Sequence, residues 1–131
     1  MKTGTIKQNL SINAQAQQIY DLLMDADKHA ALIGSSVEMS NKVNGKFVVF
    51  DGYCHGYNIE LIKGKSIKQA WNFAEEGWPE EHFSICFFEL EAQGNKTKLK
   101  FTQTEVPEHK VQALKQGWKD FYWQPLKKFF R

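Results

Sequence analysis

The spacing of apolar residues changes along the chain, and each change predicts a different element of secondary structure. Residues Thr3–Ile12 alternate between apolar and polar, which predicts a strand. Apolar residues then recur at helical spacing over Ala14–Met24, and Asn13 is a suitable N-cap for that helix. A shorter helix follows, with Asp27 as its predicted N-cap and Gly34 at its end.

After these helices the pattern alternates again, and turn residues divide it into six predicted strands. They are Val37–Ser40, Gly45–Asp51, Cys54–Ile62, Ser66–Phe73, His82–Ala92 and Lys96–Glu105. The turns between them, such as Asn44-Gly45 and Gly94-Asn95, are short. Short connections predict antiparallel neighbours, because a parallel pair needs a crossover of roughly a dozen residues or more.

The last segment, Glu108–Arg131, is helical, with its apolar residues in one broad stripe. The stripe comprises Val111, Leu114, Trp118, Phe121, Tyr122, Leu126 and Phe129. Pro125 should bend this helix, because proline lacks a backbone donor and crowds the preceding turn. A single sheet must cover its apolar face, and this long helix is the element able to do so. We therefore expect one α+β domain over residues 1–131, in which a curved antiparallel sheet grips a C-terminal helix.

Successive side chains of a strand point to opposite faces, so each predicted strand divides into an inward and an outward set. The sets expected to face the helix are Ile67, Gln69, Trp71 and Phe73; Leu99, Phe101 and Gln103; Tyr57, Ile59 and Leu61; and Cys86, Phe88 and Leu90. The strand His82–Ala92 is apolar on its outward face as well, through Phe83, Ile85 and Phe87. These three are either covered by a loop or form a patch of the kind that marks a dimer or partner surface.

Two polar residues, Gln69 and Gln103, belong to the otherwise apolar inward face. Buried amides need hydrogen-bond partners, so these side chains either bond inside the core or orient a ligand in an apolar pocket. Trp123 and Phe130 lie at the flank of the helical stripe. They either pack against the first helices or stand near the mouth of a cavity.

Charge and composition exclude several classes of protein. The formal net charge is only +2, which gives no electrostatic case for nucleic-acid binding. Six of the cations follow Pro107, and the stretch from Glu75 to Glu91 is acidic without a Lys or Arg. These are either solvated surfaces or a dipolar docking surface for a protein partner. Without a signal peptide or a transmembrane segment, we expect a cytoplasmic protein with reduced thiols and no membrane contact.

The candidate nucleophiles and metal ligands do not form a recognisable site. Cys54 and His55 are adjacent in a strand and point to opposite faces. His29 and His109 are expected at the surface, near helix starts, and Asp51 and Glu105 at exposed strand ends. We therefore predict no catalytic residue, no metal and no cofactor, and expect that the protein is not an enzyme.

Specific residues resemble a known family. They are Gly45-x-Phe47, Asp51-Gly52-Tyr53-x-x-Gly56-x-Asn58, Trp71, Ser84, Thr97-Lys98-Leu99, Thr104-x-Val106-Pro107 and Gly117-Trp118-x-x-x-Tyr122-Trp123-x-Pro125-Leu126. The chain resembles bacterial single-domain relatives of the C-terminal domain of the activator of heat-shock protein 90 ATPase, within the START-like helix-grip superfamily. The resemblance implies the helix-grip fold. The separate N-terminal domain of the eukaryotic activator is expected to be missing here.

Aromatic residues make up 14% of the chain, and the superfamily resemblance implies a cavity that they would line. Its expected lining is Trp71, Phe73, Phe88, Phe101, Trp118, Tyr122, Gln69, Gln103 and Tyr57. Our first hypothesis is that an apolar or aromatic small molecule binds there. The second is a protein-interaction module, a co-chaperone or stress-response protein acting through the Phe83–Ile85–Phe87 patch or the basic last helix. The third is a small cyclase- or hydrolase-like enzyme, which needs a carboxylate or histidine inside the pocket.

Overall fold

Seven strands form one antiparallel sheet, and the computed structural model describes residues 1–131. The strands are β1 (Thr3–Ile12), β2 (Val37–Met39), β3 (Lys46–Val49), β4 (Cys54–Ile62), β5 (Ser66–Phe73), β6 (Ser84–Gln93) and β7 (Lys96–Pro107). Their order across the sheet is β1-β7-β6-β5-β4-β3-β2, so only β1 pairs with a strand distant in sequence. All seven predicted strands are present, with ends within two residues of the predictions.

Two short helices, α1 (Ala16–Met24) and α2 (Ala26–Ile33), connect β1 to β2. Helix α1 begins later than predicted, and the N-cap is Gln15 rather than Asn13. The reason is that the Ala14 carbonyl accepts a hydrogen bond of 2.7 Å from the Thr97 hydroxyl, which ties this residue to the sheet.

The predicted N-cap of α2 is also wrong, whereas its predicted end at Gly34 is confirmed. The cap is Asp25, whose carboxylate accepts from the Lys28 amide at 2.9 Å. Because Asp25 also follows the last residue of α1, the two helices meet directly, and Asp27 lies within the first turn of α2. Gly34 terminates α2 with a φ of 68°, a left-handed conformation that glycine adopts without steric cost.

The C-terminal helix comprises α3 (Val111–Trp118), a π-helical turn (Lys119–Trp123) and α4 (Gln124–Phe129). The disturbance predicted at Pro125 takes the form of this wider turn, in which the Gln124 amide donates to the Lys119 carbonyl. Proline has no amide to continue the ordinary helical ladder, and a π turn is a common way to absorb such a break. None of the helices is both long enough and apolar enough to cross a membrane.

The π turn changes which aromatic residues face the sheet. Phe121 and Phe129, predicted in the apolar stripe, are 53% and 59% exposed. Trp123 is buried instead, with its ring stacked on Trp118 at 5.6 Å. Its indole nitrogen donates to Gln8 of β1 at 2.7 Å, so it packs on the sheet rather than on the first helices. The stripe was predicted for a regular α-helix, whereas the extra residue in the π turn changes the direction in which the side chains point.

A bulge in β4 explains the one inward set that was assigned wrongly. Tyr57 is 39% exposed and its ring contacts Phe83 on the outer face of the sheet, although we predicted that it faces the helix. The pairing of β4 with β5 shifts between Asn58 and Glu60. Before the shift the inward residues are Cys54, Gly56 and Asn58. After it, the parity is reversed, and Leu61 packs against the core as predicted.

Candidate functional site: an apolar cleft between sheet and helix

The interface between the sheet and the C-terminal helix is filled around the ring of Trp118. This ring lies 4.4 Å from Phe101, 5.2 Å from Trp71 and 6.0 Å from Phe88, measured between centroids. Trp123 closes the same cluster from the side of β1. These are normal separations for packed aromatic pairs, so this part of the interface holds no space for a ligand.

Both inward glutamines bind the nitrogens of this aromatic cluster. Trp118 donates to the Gln103 side chain at 2.8 Å, and Trp71 donates to the Gln69 side chain at 2.9 Å. The amide nitrogens donate in turn to Ser84 and to Asn58, each at 2.9 Å. No buried side-chain polar atom is left without a partner. The polar groups of the interface therefore hold the rings in place.

Beside this cluster, towards α3, an apolar cleft of about 240 Å³ opens to the surface. It is lined by Phe50, Tyr53, Cys54, Trp71, Phe73, Glu75, Ala113, Leu114, Gly117, Trp118, Phe121 and Tyr122. Four of the predicted lining residues are among them: Trp71, Phe73, Trp118 and Tyr122. Phe88, Phe101, Gln69 and Gln103 lie behind them in the core, and Tyr57 is on the far side of the sheet.

The mouth of the cleft is formed by aromatic residues that we did not predict to line a cavity: Phe50, Tyr53 and Phe121. Phe50 follows β3 with a φ of 54°, a left-handed conformation that is unfavourable for a bulky side chain. Its ring packs edge-on against Phe121 and Tyr122, at 5.6 Å and 6.1 Å. Tyr53 and Phe121 remain 41% and 53% exposed at the rim. The backbone strain at Phe50 is thus retained where it holds a ring over the cleft.

One end of the cleft is polar. The Glu75 carboxylate accepts a hydrogen bond from the Tyr53 hydroxyl and pairs with Lys110 at 3.2 Å. This is the only ion pair in the chain, and it joins the predicted acidic stretch to the predicted basic helix. A second contact joins the loop that follows Glu75 to the start of the C-terminal helix, since His109 Nε2 lies 3.0 Å from the Gly77 carbonyl oxygen.

The floor of the cleft rests on a buried pair that we did not predict. His29, expected at the surface, is 2% exposed. Its Nδ1 donates to the Leu23 carbonyl at 2.9 Å, which leaves Nε2 to accept from the Tyr122 hydroxyl at 2.7 Å. Burial lowers the pKa of His29 to about 4, and burial raises the pKa of Tyr122 well above its ordinary value. The pair is therefore neutral and ties α2 to the C-terminal helix.

The helix pattern around His29 could not have revealed this role. Its partner is 93 residues away in the sequence, and only the packing of α2 on the C-terminal helix brings the two together. Cys54, at the floor of the same cleft, is equally enclosed, and burial raises the pKa of its thiol. His55 points to the opposite face, as predicted from strand alternation. No group of three or more metal-ligating side chains comes together.

Phe83, which precedes β6, and the outward residues Ile85 and Phe87 of β6 form an apolar patch on the other face of the sheet. Phe83, Ile85 and Phe87 are partly exposed, and Tyr57 packs on Phe83 at 5.5 Å. The Lys68 ammonium lies 5.1 Å from the centre of the Phe87 ring. No loop covers these side chains completely, and their role as a dimer or partner surface stays a prediction.

This architecture defines the class of the protein: it is an α+β domain of the helix-grip, START-like fold. The family model described as "Activator of Hsp90 ATPase homolog 1-like protein" matches residues 13–131. The chain belongs to that family.

Individual relatives agree with this assignment. The activator of 90 kDa heat shock protein ATPase homolog 1 of Homo sapiens is 24% identical over 114 residues, which are 87% of this chain and 33% of the relative. The crystal structure of an HSP90 activator from Plasmodium falciparum superposes with a TM-score of 0.87 at 25% identity, covering 95% of this chain and 94% of that one. The solution structure of the Aha1 dimer from Colwellia psychrerythraea gives 0.80 at 20% identity, covering 97% and 96%. The chain spans about a third of the length of the curated relatives it matches.

Proposed function

We propose that the chain is a protein-interaction module that regulates an Hsp90-class chaperone, and that the apolar cleft receives an apolar side chain of that partner. The family to which the chain belongs supports the chaperone as partner. The observation that carries the proposal is that aromatic rings fill the interior, so the remaining space is a small cleft open at the surface.

The volume of the cleft favours a side chain over a larger free ligand. Pockets for drug-sized molecules usually measure roughly 300–1,000 Å³, whereas this cleft measures about 240 Å³. A cavity of roughly 150 Å³ is enough to hold benzene. One aromatic or branched aliphatic side chain of a partner therefore fits, and the partner's backbone would stay outside.

The rim has the properties of an interaction surface. Exposed aromatic residues such as Tyr53 and Phe121 offer contact area at a low cost in conformational entropy. The Glu75–Lys110 pair at one end supplies polar groups that can contact a partner's backbone. An apolar centre with a polar rim is the usual arrangement of a protein interface.

A test can use Gly117, which lies in α3 and lines the cleft. A Cβ added at Gly117 meets nothing within 4 Å, so Gly117→Leu should fill the cleft without disturbing the core. Gln112→Leu adds the same side chain at an exposed position of α3 outside the cleft and serves as the control. The measurement is the ATPase rate of an Hsp90-class chaperone with and without each purified chain.

We expect the unmodified chain and Gln112→Leu to raise the ATPase rate equally, and Gly117→Leu to raise it at least about 10-fold less at matched concentration. If the unmodified chain neither binds the chaperone nor changes its ATPase rate, the assigned partner is wrong. Equal activity of Gly117→Leu would instead show that the cleft is not the contact.

The apolar lining of the cleft favours a second candidate function, the binding of a small apolar or aromatic molecule. Ten of its twelve lining residues are hydrophobic. Native mass spectrometry of the purified chain would report a retained molecule and, in the same spectrum, a homodimer. A retained molecule present in the unmodified chain and lost in Gly117→Leu would support this candidate; an unliganded mass in both would contradict it.

The remaining expectations stay predictions. An enzyme would need a carboxylate or histidine free to act in the cleft, whereas Glu75 is bound by Tyr53 and Lys110, and His29 lies behind Tyr122. The absence of catalysis, the cytoplasmic location and a role in stress response are among these predictions.

A further inference from the structure

The far end of the C-terminal helix lies between two grooves. One, of about 710 Å³, separates it from α2, and the other, of about 240 Å³, separates it from β1. Both are lined by Gln124 and Lys127. They form one surface around the end of the helix, and none of the residues that line it also lines the apolar cleft.

Four cations line this surface: Lys119 in the groove beside β1, Lys128 and Arg131 in the groove beside α2, and Lys127 in both. We call them the basic helix surface. All four are exposed, and none has a carboxylate within 4 Å, because the only ion pair of the chain is Lys110–Glu75. Asp120 is the one acidic side chain in the grooves, and its carboxylate accepts from Gln116 at 2.9 Å.

The helix dipole accounts for only part of this charge. Lys127 and Lys128 lie in the last turn of α4, where cations stabilise the helix end. Lys119 lies about two turns earlier, beyond the range of that effect. Four like charges held on one surface repel each other, and an anionic partner would relieve the repulsion.

Apolar groups lie between these charges. Phe129 is 59% exposed in the groove beside α2, with its ring supported edge-on by Phe130 at 4.9 Å. Leu32 and Pro125 line the same groove. The surface therefore offers cations around an apolar centre, which matches an acidic segment carrying an apolar side chain.

We propose that the basic helix surface binds an acidic segment of a partner protein, with its carboxylates on the four cations and an apolar side chain against Phe129. A protein is the partner because the charge is local: the whole chain carries only +2, too little for a surface that follows a phosphate backbone. This proposal does not rest on the proposed function, because it concerns a different surface and no particular partner.

The test titrates the full, isotope-labelled chain with a probe peptide of four glutamates around one central phenylalanine, followed by the backbone amide NMR signals. We expect shifts confined to residues 119–131, to the end of α2 and to residues 8–10 of β1, which line the second groove. Binding should weaken several-fold between about 25 mM and about 150 mM salt. Lys127→Glu combined with Lys128→Glu should weaken binding at least about 10-fold. The control, Lys96→Glu with Lys100→Glu, makes the same charge change on exposed positions of β7 and should bind as the unmodified chain does.

Several outcomes would overturn the proposal. Equal weakening by both double variants would mean that only net charge attracts the peptide. Shifts only at other residues, or no shifts, would show that this surface does not bind the peptide. Equal binding of a peptide with glycine in place of phenylalanine would show that the apolar contact does not contribute to binding. Stronger binding to vesicles containing anionic phosphatidylserine than to the peptide would make it a membrane surface instead. If the lysine variants fail to fold, Lys128→Gln with Arg131→Gln replaces them.

Discussion

Replacing His29 by glutamine should make the stability of this domain less sensitive to acid. The imidazole is enclosed between the Leu23 carbonyl and the Tyr122 hydroxyl, and burial lowers its pKa to about 4 from the ordinary value of 6.5. Below pH 6.5 the unfolded chain therefore binds a proton that the folded chain excludes. Stability is greatest above the unfolded pKa, and it decreases as the pH falls from about 6.5 towards about 4.

The magnitude follows from the two pKa values. Between about pH 7.5 and about pH 5, this one group should cost the folded state about 2 kcal/mol, and the loss approaches about 3 kcal/mol below pH 4. Such a loss is a large part of the usual stability of a domain. Glutamine keeps a donor for the Leu23 carbonyl and does not titrate, so His29→Gln should lack this contribution to the pH dependence.

Urea unfolding of both chains at about pH 7.5 and about pH 5 measures the effect. The unmodified chain should lose about 2 kcal/mol more between the two pH values than His29→Gln does, whatever the variant costs at neutral pH. The other three histidines are present in both chains, so their contributions cancel. Tyr122→Phe is a useful comparison, because it leaves His29 buried and should keep the pH dependence.

Equal pH dependence in the unmodified chain and His29→Gln would refute this reasoning. An imidazole NMR signal of His29 that titrates near its ordinary pKa of 6.5 in the folded chain would refute it independently.

Two further predictions concern packing in the sheet and core. A Cβ at Gly56 would lie 1.7 Å from the Ala70 carbonyl oxygen of the neighbouring strand, so Gly56→Ala should destabilise the domain by about 3 kcal/mol or more in urea unfolding. Gly117→Ala, where a Cβ meets nothing, is its control and should be neutral or stabilising by up to about 1 kcal/mol; equal losses would contradict the steric explanation. Trp118→Phe should cost about 1–3 kcal/mol beyond the lost ring volume, because it leaves the buried Gln103 oxygen without its donor. A double variant that also replaces Gln103 by leucine should recover part of this loss, and full additivity of the two changes would argue against the bond.

Local patterns were sufficient for most of the fold. Strand β5 has the predicted ends, and the inward position of Trp71 follows from simple alternation. The end of α2 at Gly34 needed only the preference of glycine for left-handed conformations. Such features depend on neighbours a few residues apart, and their rules can therefore be applied to an isolated sequence.

Two of the wrong predictions, those that concern Tyr57 and the exposed and buried faces of the last helix, share a cause. Tyr57 faces outward because a bulge reverses strand parity after it, and Trp123 is buried because a π turn rotates the helix before it. Each error comes from one inserted residue in an otherwise regular element. A periodic pattern does not reveal such an insertion when apolar residues are available on both faces.

The positions of the aromatic residues along the predicted strands and the last helix were enough to predict that many of the rings meet at one interface between the sheet and the C-terminal helix. Whether that interface is hollow or filled was decided by tertiary packing. The rings of Trp118 and Phe101 lie 4.4 Å apart, and the cleft beside them is lined in part by Phe50, which has a left-handed backbone conformation. The His29–Tyr122 pair beneath it arises in the same way, from contacts between distant segments. Alternation assigns a side chain to a face, whereas the space between two faces depends on how closely the whole set of side chains interlocks.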